Sequence, residues 1–109
     1  MDFAAYQTSA RATAVYPEDA RVIYPALGLA NEAGEVLGKI KKIIRDKDGN
    51  FGDPESRLAI QHELGDVLWY IAALCSDLEL DMQEVAHANI DKLEDRARRG
   101  IIQGDGDKR

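Results

Sequence analysis

The chain has 109 residues, which suits a single domain with a modest hydrophobic core. Its formal net charge is −6 and no basic stripe is present, so binding to nucleic acid is not expected. The longest apolar run, Val67–Cys75, is too short to cross a bilayer, and no basic segment leads into an apolar stretch at the N-terminus. These features predict a cytoplasmic protein without membrane contact, and the single cysteine, Cys75, leaves no intrachain disulfide.

Four helices are predicted from capping residues and helical periodicity, and no stretch alternates like a strand. Asp2, Asp53 and Asp81 are the expected N-caps of three of them, and Gly100 ends the last. The second helix is expected to begin near Pro25. The first helix is expected from about 3 to 13 or 14, and the others at about 25–45, 54–77 and 82–98. The fold class is therefore all-α, a four-helix bundle formed by one domain, 1–99, followed by a flexible C-terminal tail, 100–109.

Two acidic steps stand on successive helices, Glu32-Ala-Gly-Glu35 and Glu63-Leu-Gly-Asp66. Acids three residues apart point the same way on a helix, and both pairs lie beside the apolar stripe of their helix. Four acids gathered between packed helices would repel one another unless a divalent cation lay among them. The steps therefore predict a Mg²⁺ site. The alternative is a set of surface acids in i,i+4 ion pairs, such as Glu35 with Lys39.

The fourth helix carries a complementary polar face formed by Asn89, Lys92 and Arg96. Their spacing by three and four places them together, and Arg96 is suited to bidentate contact with phosphate oxygens. The alternative is a solvated helix end, where cations interact favourably with the helix dipole.

The third helix is apolar on every side between Val67 and Cys75, and Trp69 faces away from the stripe that contains Leu64 and Ile71. A helix with apolar residues on every side is expected to be buried on every side. The simplest cover in a chain of this length is a second subunit. The alternative is that Trp69 is buried within one chain.

Asn31-Glu32-Ala-Gly-Glu35, followed by Glu63-Leu-Gly-Asp66-Val-Leu-Trp-Tyr, resembles the MazG-type nucleotide pyrophosphohydrolases. These belong to an all-α superfamily that also contains dimeric dUTPases and phosphoribosyl-ATP pyrophosphohydrolase. The resemblance extends over about 24–99, and the glycine-rich end, 100–109, also looks like short members of the group. The family pattern begins with two adjacent glutamates, and the first of them is Asn31 here.

The resemblance implies that Glu32, Glu35, Glu63 and Asp66 bind Mg²⁺, with Mn²⁺ as a possible substitute. It implies further that Asn89, Lys92 and Arg96 contact phosphate or sugar. Glu32 or Glu35 would also act on the attacking water as the catalytic carboxylate. Tyr70 is expected at the sugar, Gln7 at an edge of the base and Lys39 near the substrate, on the same side of its helix as the acids.

The expected activity is Mg²⁺-dependent hydrolysis of a nucleoside triphosphate between the α and β phosphates, giving a monophosphate and pyrophosphate. The expected assembly is a homodimer or homotetramer. Alternatives are a dUTPase-like or phosphoribosyl-ATP pyrophosphohydrolase activity, and a non-catalytic helical dimer that binds a nucleotide or a protein partner.

Overall fold

The computed structural model describes residues 1–109 and contains four α-helices and no strand. The helices are α1 (Phe3–Arg11), α2 (Ile23–Asp46), α3 (Pro54–Asp77) and α4 (Met82–Arg98), and a short 3-10 helix, Glu18–Ala20, precedes α2. The predicted all-α class is thus confirmed, and the bounds of α3 and α4 agree with those expected from the sequence.

The first two helices differ from their predicted bounds. The helical assignment of α1 ends at Arg11, and beyond it the Thr13 hydroxyl donates to the Ala10 carbonyl, a side-chain bond that competes with continued helix. Helix α2 begins at Ile23 instead of Pro25. Pro25 still lies in the first turn, where its missing N–H breaks no helical hydrogen bond.

Aspartates cap three of the helices, as predicted. Asp2 accepts from the Ala5 N–H at 2.8 Å, and the caps of α3 and α4, Asp53 and Asp81, make the corresponding bonds. Helix α2 has no side-chain cap, and its N-cap position is held by Val22, whose φ is +70°. The helix that carries the first acidic step therefore begins at a residue in an unfavourable backbone conformation.

Helices α2 and α3 form an antiparallel hairpin joined by the loop 47–53. Its contacts run from Val22 with Asp77, through Gly28 with Tyr70, to Glu32 with Asp66. Gly28 is required at the second of these contacts, because a Cβ atom there would lie 2.1 Å from the Tyr70 ring. At Gly28 the two helices lie close together, one turn before Glu32 on α2.

A small core lies where α1, α3 and α4 meet, formed by Ala10, Ala72, Cys75 and Met82. The Cys75 thiol is free and buried, and burial raises its pKa, so it is an inert core group at neutral pH. Trp69 packs beside this core, and its indole N–H donates to the Thr13 hydroxyl at 2.8 Å. The chain itself therefore covers part of Trp69.

The hairpin leaves much of its apolar surface open. Leu27 is 67% exposed and Leu37 is 66% exposed, and Ile44, Leu58 and Leu64 are also exposed. The radius of gyration is 16.8 Å, whereas a compact chain of this length has about 13 Å. One chain therefore does not enclose these side chains, and the closed bundle and the oligomer both stay predictions. None of the four helices combines the length and the hydropathy needed to span a membrane.

Candidate metal centre

Three carboxylates converge midway along the hairpin. Glu32 comes from α2, while Glu63 and Asp66 come from consecutive turns of α3. One oxygen of each lies within 4.8 Å of an oxygen of the others. Glu32 and Glu63 are half-buried and Asp66 is exposed, so the group opens to solvent on one side. The antiparallel hairpin thus brings members of the two acidic steps together, as the sequence predicted.

Burial and the neighbouring carboxylates raise the pKa of one member of this group. The pKa of Glu32 is raised, first by burial and then by the negative charge of Asp66, with smaller contributions from Glu63 and Glu35. A carboxylate in this position accepts a proton more readily than one in water, because crowded negative charges disfavour its ionised form. A divalent cation would relieve the same repulsion. Carboxylate oxygens are the ligands that Mg²⁺ and Mn²⁺ prefer, so these residues fit such an ion.

Glu35 stands apart from the converging group. It is exposed and is not among the three residues whose oxygens lie within 4.8 Å of one another, although its charge contributes to the raised pKa of Glu32. Glu35 therefore lies at the edge of the site. Its predicted roles as a metal ligand and as a catalytic base both stay predictions.

Tyr70 lies one turn beyond Asp66 on α3, with its ring against Gly28. Its pKa is raised, first by burial and then by Tyr24, Glu32 and Asp66. The phenol therefore keeps its proton at neutral pH and can donate a hydrogen bond close to the acidic group. This position suits the predicted sugar contact, which stays a prediction.

Gln7 makes hydrogen bonds within the protein. Its side-chain N–H donates to the Ser76 hydroxyl at 3.1 Å and to the Leu80 carbonyl at 2.9 Å, and its Oε1 accepts from the Met82 N–H at 2.8 Å. These bonds join α1 to the connection between α3 and α4. The contact with a base stays a prediction, and the structural role is one that the sequence did not reveal.

Lys39 lies toward the loop end of the hairpin. It lines a cavity of about 130 Å³ together with Lys42, Asp46, Lys47 and Ser56. Seven residues separate it from Glu32, which corresponds to about 10 Å along α2. Its contact with substrate stays a prediction.

On α4, Asn89 is exposed, whereas Lys92 and Arg96 both bind the C-terminal segment. Lys92 Nζ lies 2.7 Å from Asp107 Oδ1, and Arg96 lies 3.3 Å from the same oxygen and also donates to the Asp107 carbonyl. These contacts lower the pKa of Asp107, the Lys92 bond most strongly, and the Arg96 side chain is only 6% exposed. The Asp107 carboxylate therefore forms ion pairs with the two cations that were predicted to bind phosphate.

The segment 100–109 folds back on α4 without forming a helix. Arg109 donates to the carbonyls of Ile101, Ile102 and Gly106, and Gly106 adopts a φ of +88°, which glycine reaches without strain. These bonds hold the segment in a compact shape that presents Asp107 to α4. The flexibility predicted for this segment stays a prediction.

The sequence did not indicate that Asp77, Tyr16 and Tyr24 are connected to the candidate site. Tyr16 stacks on Tyr24 with ring centroids 4.8 Å apart, Tyr24 lies 6.4 Å from Tyr70, and the Tyr16 hydroxyl donates to Asp77. One signal was available, because Asp77 follows Asp66 by three helical turns and so lies on the same side of α3. The connection to Tyr16 could not be read from spacing, since Tyr16 lies in the loop before α2.

Comparison with known proteins identifies the family of the chain. The model of the MazG nucleotide pyrophosphohydrolase domain matches residues 25–100. A Gene 37 protein of Mycobacterium phage L5 is 46% identical over 110 residues, covering 95% of this chain and 96% of that protein. No solved structure matches the chain. The matched residues include both acidic steps and the polar face of α4, and the chain belongs to the MazG nucleotide pyrophosphohydrolase family.

Proposed function

We propose that the protein is a Mg²⁺-dependent nucleoside triphosphate pyrophosphohydrolase that cleaves ribo- or deoxyribonucleoside triphosphates between the α and β phosphates. The products are the nucleoside monophosphate and pyrophosphate. The observation that carries this proposal is the convergence of Glu32, Glu63 and Asp66 within 4.8 Å in a chain of the MazG family. A nucleotide pyrophosphohydrolase must neutralise a highly charged substrate, and a carboxylate-bound divalent cation meets that need.

Each acidic residue has a part in this proposal. Glu32, Glu63 and Asp66 would hold Mg²⁺, or Mn²⁺ in its place. The bound ion would neutralise the phosphate chain and orient its oxygens. Glu35, which lies outside the converging group, is free to accept a proton from the attacking water. This division leaves one carboxylate for catalysis beside three for the ion.

Two sets of residues would contact the substrate. The Tyr70 hydroxyl, which keeps its proton, would donate to the sugar. Lys92 and Arg96, with Asn89 beside them, would bind phosphate oxygens in place of the Asp107 carboxylate that they now contact. In this proposal the C-terminal segment moves when the triphosphate binds.

The proposed assembly is a homodimer or homotetramer, acting in the cytoplasm. Its support is the apolar surface left open on the α2–α3 hairpin, where Leu27, Leu37 and Leu64 are each more than half exposed. Large exposed apolar areas mark association sites in proteins. Covering it with a second copy would complete the packing that the single chain lacks.

Pyrophosphate release tests the proposal directly. The purified protein is incubated with a panel of ribo- and deoxyribonucleoside triphosphates, with and without Mg²⁺. At least one triphosphate should be hydrolysed only with Mg²⁺, and Glu35→Gln or Asp66→Asn should slow that reaction at least ~100-fold. Glu55→Gln, an exposed glutamate in the first turn of α3, is the matched control and should keep the wild-type rate. Absence of hydrolysis with every triphosphate, or unchanged rates in both site variants, would refute the proposal.

A further inference from the structure

Asp77, the last residue of α3, is a carboxylate whose side chain is fully buried. It accepts hydrogen bonds from Arg11 at 2.9 Å, from the Tyr16 hydroxyl at 2.7 Å and from the Val22 N–H at 2.9 Å. Arg21 lies 3.6 Å away. Burial alone would raise the pKa of Asp77, but the bonds from Val22, Tyr16 and Arg11 lower it overall, so the carboxylate is charged at neutral pH.

A buried charge of this kind is not explained by stability alone. Taking a carboxylate out of water is costly, and buried ion pairs often stabilise a fold no more than apolar residues of similar size would. Arg11 and Arg21 both remain partly exposed, so Asp77 is the member that loses its hydration completely. Such an arrangement fixes the positions of the elements that meet at it. Here these are the loop before α2, the end of α1 and the end of α3.

Among the residues that Asp77 holds in place, Val22 is held most directly. Its φ of +70° is unfavourable for a β-branched residue, and backbone strain of this kind persists only where the surroundings impose it. The Val22 N–H is bound by Asp77, and its carbonyl accepts the first helical hydrogen bond of α2, from Ala26. Asp77 therefore holds the residue at which α2 starts.

We propose that Asp77 is a positioning residue of the metal centre. By fixing Val22 against the end of α3, it sets how far along α3 the helix α2 lies, and so whether Glu32 meets Glu63 and Asp66. Glu32 follows Val22 by ten residues, or about 15 Å of continuous helix, so a shift at the start of α2 is carried to Glu32. This inference rests on the proposed function in one respect, that the three carboxylates bind a divalent cation.

The aromatic side chains provide a second connection between Asp77 and the same site. Asp77 orients the Tyr16 hydroxyl, Tyr16 stacks on Tyr24, and Tyr24 lies against Tyr70 beside the acidic group. The two connections lead from one carboxylate to both helices of the centre. Only the connection through Val22 acts on the start of α2, so loss of the Tyr16 hydroxyl alone should leave the acidic group in place.

Mn²⁺ binding measured by electron paramagnetic resonance, without nucleotide, tests the inference. Asp77→Asn should weaken Mn²⁺ binding about 10-fold, near the lower end of effects seen for residues that orient metal ligands. Val22→Gly alone should change it by less than about 2-fold, because glycine adopts a positive φ without strain. Added to Asp77→Asn, it should restore most of the lost affinity, because glycine reaches the positive φ without the bond from Asp77. Tyr16→Phe removes one bond to Asp77 but leaves the Val22 bond, and should bind Mn²⁺ like the wild type.

The possible results separate this inference from the proposed function. Wild-type protein that binds no Mn²⁺ would overturn both. Wild-type protein that binds Mn²⁺, together with a folded Asp77→Asn variant of equal affinity or a Val22→Gly addition that restores nothing, would overturn the positioning role alone. If circular dichroism shows that Asp77→Asn is unfolded, Asp77→Glu takes its place. It keeps the charge but lengthens the side chain, and it should also bind about 10-fold more weakly, whereas wild-type affinity would refute the inference.

Discussion

Replacement of Gly28 by alanine tests the contact that brings α2 close to α3. The added Cβ atom would lie 2.1 Å from one carbon of the Tyr70 ring and 2.4 Å from two others, so the ring or the helix must move. Overpacking of this kind costs about 1–3 kcal/mol. Alanine gains roughly 1 kcal/mol over glycine within a helix. The two effects oppose each other, so Gly28→Ala alone would give an ambiguous change in stability.

Gly34→Ala supplies the comparison that isolates the clash. Gly34 is also inside α2, and a Cβ atom there would meet nothing within 4 Å. The gain in helix propensity is common to both variants and cancels when they are compared. Gly28→Ala should therefore be less stable than Gly34→Ala by about 1–3 kcal/mol in urea unfolding. Gly34→Ala should itself be up to ~1 kcal/mol more stable than the wild type.

Metal binding shows which way the clash is relieved. If α2 moves away from α3, Glu32 leaves Glu63 and Asp66, and Mn²⁺ affinity falls in Gly28→Ala but not in Gly34→Ala. If only Tyr70 rotates, Mn²⁺ affinity is kept and KM for the nucleotide rises. Equal stabilities of the two variants, with equal Mn²⁺ affinity and KM, would refute the reasoning, because they would mean that Gly28 is not in close contact with Tyr70.

Three further predictions concern the charged groups. Asp107→Asn should lower KM for a nucleoside triphosphate about threefold, because Lys92 and Arg96 lose a competing carboxylate. The control is Asp105→Asn, which should leave KM unchanged, because the Asp105 side chain contacts only the Gly106 N–H. The pKa of Asp77 is lower in the folded state than in the unfolded state. Its contribution to stability is therefore present above the unfolded-state pKa of about 3.9 and is lost as the pH falls through the folded-state pKa. In urea unfolding, the free energy of unfolding should fall more between pH 6 and pH 3 for the wild type than for Asp77→Asn. In thermal unfolding, Mn²⁺ at 100 times its Kd should stabilise the wild type by about 2.7 kcal/mol and leave the stability of Asp66→Asn nearly unchanged. A wild-type Tm that does not change with the Mn²⁺ concentration would contradict this prediction.

The sequence predicted the helices wherever local chemistry decides them. Asp53 and Asp81 cap α3 and α4 as expected, because a capping side chain acts on backbone only two or three residues away. The sequence placed the start of α2 near Pro25, two residues after Ile23, and it did not show that Val22 is held there by Asp77, 55 residues later in the chain. A bond between residues so distant leaves no periodic signal in either segment.

Helical spacing predicted only part of the arrangement of the acidic residues. Helical spacing aligned Glu63 with Asp66, and the repetition of the step on α2 predicted that Glu32 would meet them. The spacing did not show that Glu35 would stand outside the group, because this depends on how α2 is rotated and shifted against α3. Nor did it show that Asp107 would cover Lys92 and Arg96, since the segment 100–109 has no periodicity and its path depends on glycines and on Arg109.

The proposed metal centre requires that Glu32, Glu63 and Asp66 together bind one divalent cation. Anomalous scattering from crystals grown with Mn²⁺ tests it most directly, because the ion is located independently of any activity. A strong anomalous peak is expected between α2 and α3, roughly 2.0–2.6 Å from an oxygen of each of the three carboxylates. A peak elsewhere, or no peak while these carboxylates contact only one another and water, would contradict it.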